Sequence, residues 1–154
     1  MGAYITRNDI GNAIAEDVLK YLVDDERQGA ITPAGEERIE QRIQDAESEV
    51  NSYLAQRYTL PLPEVPPVLK ARTLDIAVYR LFLRRGIRPG SADESVIDQY
   101  RLAVSWLKDV ATGKASLTFA NGLQGSDGAK VDGGSKPRIT AQPRRFSRDS
   151  LEDF

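Results

Sequence analysis

Carboxylates are the residues of this chain whose spacing comes closest to chemistry. Glu36 and Glu40 stand one helical turn apart, with Glu37, Glu47 and Glu49 along the same stretch, and Asp24-Asp25-Glu26 run consecutively ahead of Gly29. Paired carboxylates can divide general-acid and general-base roles, and clustered ones can hold a hard cation. The usual companions of such chemistry are missing, because the 154 residues include no histidine and no cysteine. That removes imidazole bases, thiol nucleophiles and thiolate-bound metals. The acidic run lacks the EF-hand spacing that closes on a Glu, so it reads as an inter-helix turn, and the glutamate pairs read as a solvated helix face. Asp127 and Asp132 read as loop acids. No glycine-rich phosphate fingerprint occurs, and Gly122, Gly125 and Gly128 do not open a helix. No catalytic, cofactor-binding or metal-binding residue is assigned, and the expectation is a protein that is not an enzyme and takes no cofactor.

Basic residues offer a second kind of chemistry. Arg80, Arg84, Arg85 and Arg88 form a patch at the end of one helical stretch. It reads first as dipole complementation and pairing with acidic neighbours, and second as a contact for phosphate or an acidic partner. Net charge is −2, yet residues 1–113 hold 14 Lys/Arg against 18 Asp/Glu while residues 114–154 hold 7 against 5. The basic end carries Arg138, Pro143, Arg144, Arg145, Phe146, Arg148, Leu151 and Phe154. A solubilising tail has no need of Phe146, Leu151 and Phe154, and arginine with aromatic anchors carries binding energy at protein interfaces. Arginine interleaved with Phe also suits single-stranded nucleic acid, but Asp149, Glu152 and Asp153 would repel phosphates.

The elements that position these groups follow from periodicity. Ile10, Ile14, Val18 and Leu22 recur at spacing four, widened by Ala13 and Tyr21, and predict one amphipathic helix capped by Thr6 with Asp9, ending before Gly29. Thr32-Pro33 opens a second helix of about 25 residues, whose stripe is Ile39, Ile43, Ala46, Val50, Tyr53 and Leu54 and whose outside is mostly acidic. Arg57 to Pro63 cannot be helical because of its prolines. A third helix starts around Val65-Pro66-Pro67 and ends at Arg84-Arg85-Gly86. A fourth opens on Ser91-Ala92-Asp93-Glu94 and stops at Thr112-Gly113; Tyr79 of the third helix and Tyr100 and Trp106 of the fourth read as at or beside core positions. Ser116 to Phe119 reads as a short strand before an Asn121-Gly122 turn. The fold expected is all-α: a four-helix bundle-like domain over 1–113 with one long helix, then a Gly-rich and basic extended arm over 114–154. No stretch reaches the roughly 18 apolar residues of a membrane span, and Met1-Gly2-Ala3-Tyr4 has no basic or apolar leader, so assembly in the cytoplasm is expected.

The run Arg57-Tyr58-Thr59-Leu60-Pro61-Leu62-Pro63, then Val65-Pro66 and Leu69, then Ile76-Ala77-Val78-Tyr79-Arg80-Leu81, resembles the small head–tail adaptor family of Mu-like and related long-tailed phages. Tyr100-Arg101-Leu102-Ala103 before Trp106-Leu107 and Gly113 is similar too, as are Tyr4-Ile5-Thr6 and the segment Pro143 to Leu151. The resemblance implies a non-enzymatic virion protein of the head–tail junction that forms a ring, usually dodecameric, between the portal and a tail terminator or other neck protein. Genomic DNA would pass through without sequence-specific contact. A heterologous side-to-side contact repeated around an axis builds such a ring. An acidic bore would let DNA slide, where a basic one would hold it by counterion release, which nominates Glu36, Glu37, Glu40, Glu47 and Glu49 as lumen-facing. The arm is expected to dock on the portal or a neighbouring subunit. The alternative is a small helical DNA-binding packaging or regulatory protein, for which the arginine patch would be the contact.

Overall fold

Local capping decides where two of the helices begin. In the computed structural model, which describes residues 2–87 and 94–119, Thr6 caps α1 (Arg7–Ala13): its hydroxyl accepts the Asp9 N–H and the Asp9 carboxylate accepts the Thr6 N–H. Ile5 and Ile10 flank this cap and are fully buried, as a hydrophobic staple requires. The chain then breaks where one continuous helix was expected. Ile14 is extended, and α2 (Glu16–Val23) starts afresh. Gly11 and Asn12 weaken the helix ahead of the break, while Glu16 and Asp17 favour a new positive end. The described residues therefore hold five helices rather than four. The stripe survives the break at Ile10, Ile14, Leu19 and Leu22, but Ala13 is exposed and Tyr21 is 62% exposed, so neither widens it.

Thr32 caps α3 (Pro33–Leu54) by accepting the Gly35 N–H, and its 22 residues make a rod of about 33 Å. The proline-containing link then leads into α4 (Pro67–Arg85), which stops at Gly86 with φ 83°. α5 (Glu94–Thr112) stops at Gly113 with φ 84°. Both glycines occupy the left-handed region that side chains resist. Tyr79, six residues before the end of α4, stacks on Tyr100, six residues after the start of α5, with ring centres 4.1 Å apart; the two helices are antiparallel. α3, α4 and α5 pack on one another, and α1 and α2 lie against α3 and α4.

The core is continuous through Ile39, Ile43 and Val50 of α3, Leu69, Ile76 and Leu81 of α4, and Leu107 and Val110 of α5. Thr73, buried among them, donates its hydroxyl to the Leu69 carbonyl, which removes the cost of an unpaired polar group. Packing does not end at residue 113. Leu117 and Phe119 are buried, the Leu117 N–H donates to the Tyr58 hydroxyl at 3.0 Å, and Arg57 donates to the Ala115 carbonyl at 2.9 Å. The expected strand is no more than a lone bridge position at Thr118. The architecture is all-α over the described residues. The Ser91–Asp93 cap, the Asn121-Gly122 turn, Asp127, Asp132 and the arm beyond residue 119 lie outside them.

Candidate functional site

Three polar clusters and one groove make up the chemistry of the surface. In the first, Glu47 reaches from α3 to the segment ahead of α1. Its carboxylate accepts the N–H groups of Ala3, Tyr4 and Ile5 at 2.9, 2.7 and 3.2 Å, and the residue is 8% exposed. The Tyr4 hydroxyl donates to Asn51, and burial, aided by the Glu47 charge, pushes its pKa up. A strap over Gly2–Ile5 is thus bound to the long helix by one carboxylate. Gly2 has no room for a side chain, since a Cβ there would meet the Ile5 carbonyl at 2.3 Å and Glu47 Oε1 at 2.5 Å.

The second cluster gathers the arginine patch around the α2–α3 turn. Asp25 pairs with Arg38, Arg84 and Arg85, and the Arg84 hydrogen bond, before the other charges, holds its carboxyl below the usual range. Arg84 and Arg85 also donate to the Leu22 carbonyl, Arg85 donates to the Asp24 carbonyl, and the Arg85 guanidinium lies 5.4 Å from the Tyr21 ring centre. Glu26 accepts from Arg38 and Thr32. The Asp24 carboxylate accepts the Gln28 and Gly29 N–H groups, which lowers its pKa. The consecutive acids are therefore a turn clasp. In the third cluster, Arg80 donates to Glu49 Oε2 at 2.7 Å and the Tyr100 hydroxyl to Oε1 at 3.1 Å; burial, with Glu49 beside it, pushes the Tyr100 pKa up to about 12. Arg80, Arg84 and Arg85 are all committed inside the fold, and Arg88 lies outside the described residues.

The five acids nominated for a lumen do not share a face. Glu36 and Glu37 are exposed at the start of α3, Glu36 pairing with Arg7. Glu40 and Glu49 are half-buried and Glu47 is buried. Glu49 lies against α4 and α5, and Glu47 faces the strap. The outward stripe of α3 runs through Glu37, Gln41, Gln44, Ser48 and Ser52, so the long helix is largely uncharged outside rather than acidic. Helical periodicity puts those positions on one side, and the sequence alone concealed that the acids flank it.

A groove opens where α1, α4 and α5 meet, lined by Ala13, Leu74, Val78, Val96 and Gln99 with Asp75 among them. Its volume is about 170 Å³, smaller than the roughly 300 Å³ at which small-molecule pockets begin, and right for a side chain. Burial raises the Asp75 pKa even though Arg72 donates to it at 3.1 Å. The overlooked signal was a second apolar stripe, Leu74 and Val78, beside Leu69, Thr73, Ile76 and Ala77. Val68, Leu83 and Leu102 are the other large apolar side chains, with Tyr21, exposed among the described residues. The expected docking residues Arg138, Pro143, Arg144, Arg145, Phe146, Arg148, Leu151 and Phe154 lie outside them.

Comparison with known proteins adds the following. A protein family described as Bacteriophage Mu, Gp36 matches residues 4–132. The chain is 30% identical over 109 residues to "Gene product J" of Escherichia phage Mu, covering 71% of this chain and 70% of that protein. It is 33% identical over 86 residues to "Mu-like prophage FluMu protein gp36" of Haemophilus influenzae, covering 56% and 57%, little more than half of each.

Proposed function

Since the chain belongs to the Bacteriophage Mu Gp36 family, we propose that this Mu-like phage protein is a structural component of the virion neck. It forms a ring, dodecameric in this reading, between the portal and a tail terminator or other neck protein, offers the tail its attachment surface, and lets the genome pass without sequence-specific contact. It performs no catalysis, needs no cofactor and engages no membrane.

The observation that carries this reading over the DNA-binding alternative is the fate of the arginines. Duplex binding draws its energy from basic side chains free to displace counterions. Arg80, Arg84 and Arg85 instead face Glu49, Asp25 and backbone carbonyls, so they hold helices together. Glu36 and Glu37 are the two nominated acids exposed enough to line a bore. Phage lacking the gene should accumulate filled heads and complete tails that fail to join, and purified protein should restore joining in the mixed lysate. Salt-dependent retardation of duplex DNA by the pure protein, with joining unaffected by its absence, would favour the regulatory reading instead.

A further inference from the structure

A ring built from one small domain needs a surface that one copy offers and another fills. The groove between α1, α4 and α5 has the chemistry of a receptor for a short basic and aromatic segment. Its floor is apolar through Leu74, Val78 and Val96, and the Asp75 carboxylate stands among them, 25% exposed, with Arg72 on Oδ2. Glu94 and Asp98 neighbour the lining residues of α5 in the chain, and Glu16 and Asp17 open α2 just after Ala13. Lys20 and Arg101 pair with Glu16 and Asp98.

Two other clefts have different chemistry. One, beside Tyr4, Asn51, Leu60 and Pro61, has no charged lining residue, and one beside Tyr21 has Arg27 and Arg85 in its wall. Among these three, only the α1/α4/α5 groove joins an apolar floor to a carboxylate without a basic side chain in its lining. The segment from Arg138 to Arg148 supplies the complement: four arginines, Phe146 and no acid.

We infer that the groove receives the Arg144-Arg145-Phe146 segment of a neighbouring copy, with Phe146 entering the apolar floor and an arginine reaching Asp75. An arginine opposite a carboxylate in such a setting makes a charge-assisted pair stronger than one in water. This inference rests on the ring reading, which selects the neighbour over the chain's own arm, because a contact within one chain joins nothing. Reach permits it: the 24 residues from Ala120 to Pro143 extend to about 80 Å at most.

The absence of native cysteine makes disulfide trapping clean. Full-length Gln99→Cys, in the groove, is mixed with full-length Ser147→Cys under mild oxidation, and both changes are also combined in one chain. Docking in trans predicts a disulfide-linked heterodimer from the mixture, and linked oligomers from the double variant. Asp75→Asn in the groove partner should cut the yield about tenfold, as loss of a charge-assisted pair does, and Arg144→Ala with Arg145→Ala in the arm partner should do the same. A Ser52→Cys partner on the outer face of α3 sets the background. Yield no higher than that background at the highest soluble concentration overturns the inference, and so does a double variant that closes only within its own chain. Failure here with head–tail joining intact leaves the neck reading standing; efficient trapping by a protein dispensable for joining would remove that reading and keep the contact.

Discussion

Two carboxylates sit where a folded chain normally avoids charge, Glu47 beneath the N-terminal strap and Asp75 in the α1/α4/α5 groove. Both stand on long helices beside apolar neighbours. Glu47 accepts three consecutive backbone N–H groups, from Ala3, Tyr4 and Ile5, so its burial closes a structural joint. Asp75 has Arg72 beside it and still has its pKa raised by burial, so its environment favours the neutral form. A buried charge that is fully hydrogen-bonded holds the fold together, whereas an under-compensated one at an open surface is a feature stability alone does not explain. The difference separates a carboxylate that closes a joint within the fold from one left at an open groove.

The sharpest way to break the comparison is Glu47→Ala. It leaves three amides without their acceptor and detaches the strap that carries Ile5 into the core, so a loss of about 3 kcal/mol is expected in urea unfolding, with Glu47→Gln losing less because one oxygen still accepts. A loss below that of an ordinary surface substitution would mean that Glu47 and Asp75 are alike. Gly2→Ala tests the same joint without altering charge. Its Cβ would collide with the Ile5 carbonyl and Glu47 Oε1, so the strap must shift, and about 1–2 kcal/mol should be lost. The Tyr4 hydroxyl bond to Asn51 should weaken with it, visible as a fall in the Tyr4 pKa.

The exposed clasp should matter less. Asp9, Asp24 and Asp25 have pKa values lowered chiefly by Lys70, by the Gln28 amide and by Arg84 respectively. A lowered folded pKa means that the ionised form stabilises the fold above the ordinary carboxylate range, and that this support drains away as pH falls through the folded values. Stability should therefore be flat from neutral pH down to about 5 and fall below about 4. Asp25→Asn should flatten part of that fall while shifting the urea midpoint less than Gly2→Ala does. An acid limb unchanged by Asp25→Asn would show that the clasp contributes nothing measurable, as many exposed ion pairs do.

How much of this was legible in the sequence follows from range. The Thr6–Asp9 cap, Thr32 with Pro33, Pro67 at the start of α4, and Gly86 and Gly113 at helix ends are local signals, and each stands where the pattern put it. The break at Ile14 was hidden because the spacing-four stripe continues across it. Glu47 resembled any other acid on a solvated helix face, since its partners lie 42 to 44 residues away. Arg80, Arg84 and Arg85 of the arginine patch pair with acids, which spacing suggested, but the convergence of Arg38, Arg84 and Arg85 on one carboxylate depends on how α2, α3 and α4 pack. The groove was missed because Leu74 and Val78 lie beside the core stripe of α4, and spacing alone does not show what a flanking apolar pair faces until the neighbouring helices are placed.

Asp75→Asn carries the smallest expected change in stability and the most information. A carboxyl whose pKa is raised on folding weakens the fold above its unfolded pKa, and that cost disappears as pH falls below it. Removing the charge at neutral pH should therefore cost little, because the loss of the Arg72 pair is offset by relief of the buried charge, and urea unfolding should place the variant within about 0.5 kcal/mol of the parent. Glu47 predicts the opposite outcome for its own neutralisation. If Asp75→Asn instead unfolds the protein as Glu47→Ala does, the groove carboxylate is another structural joint, and the contrast between the two regions collapses. If it leaves stability intact while disulfide capture of the arm falls, the charge is held in the groove for a neighbour, and the cost of keeping it there has a reason outside the single chain.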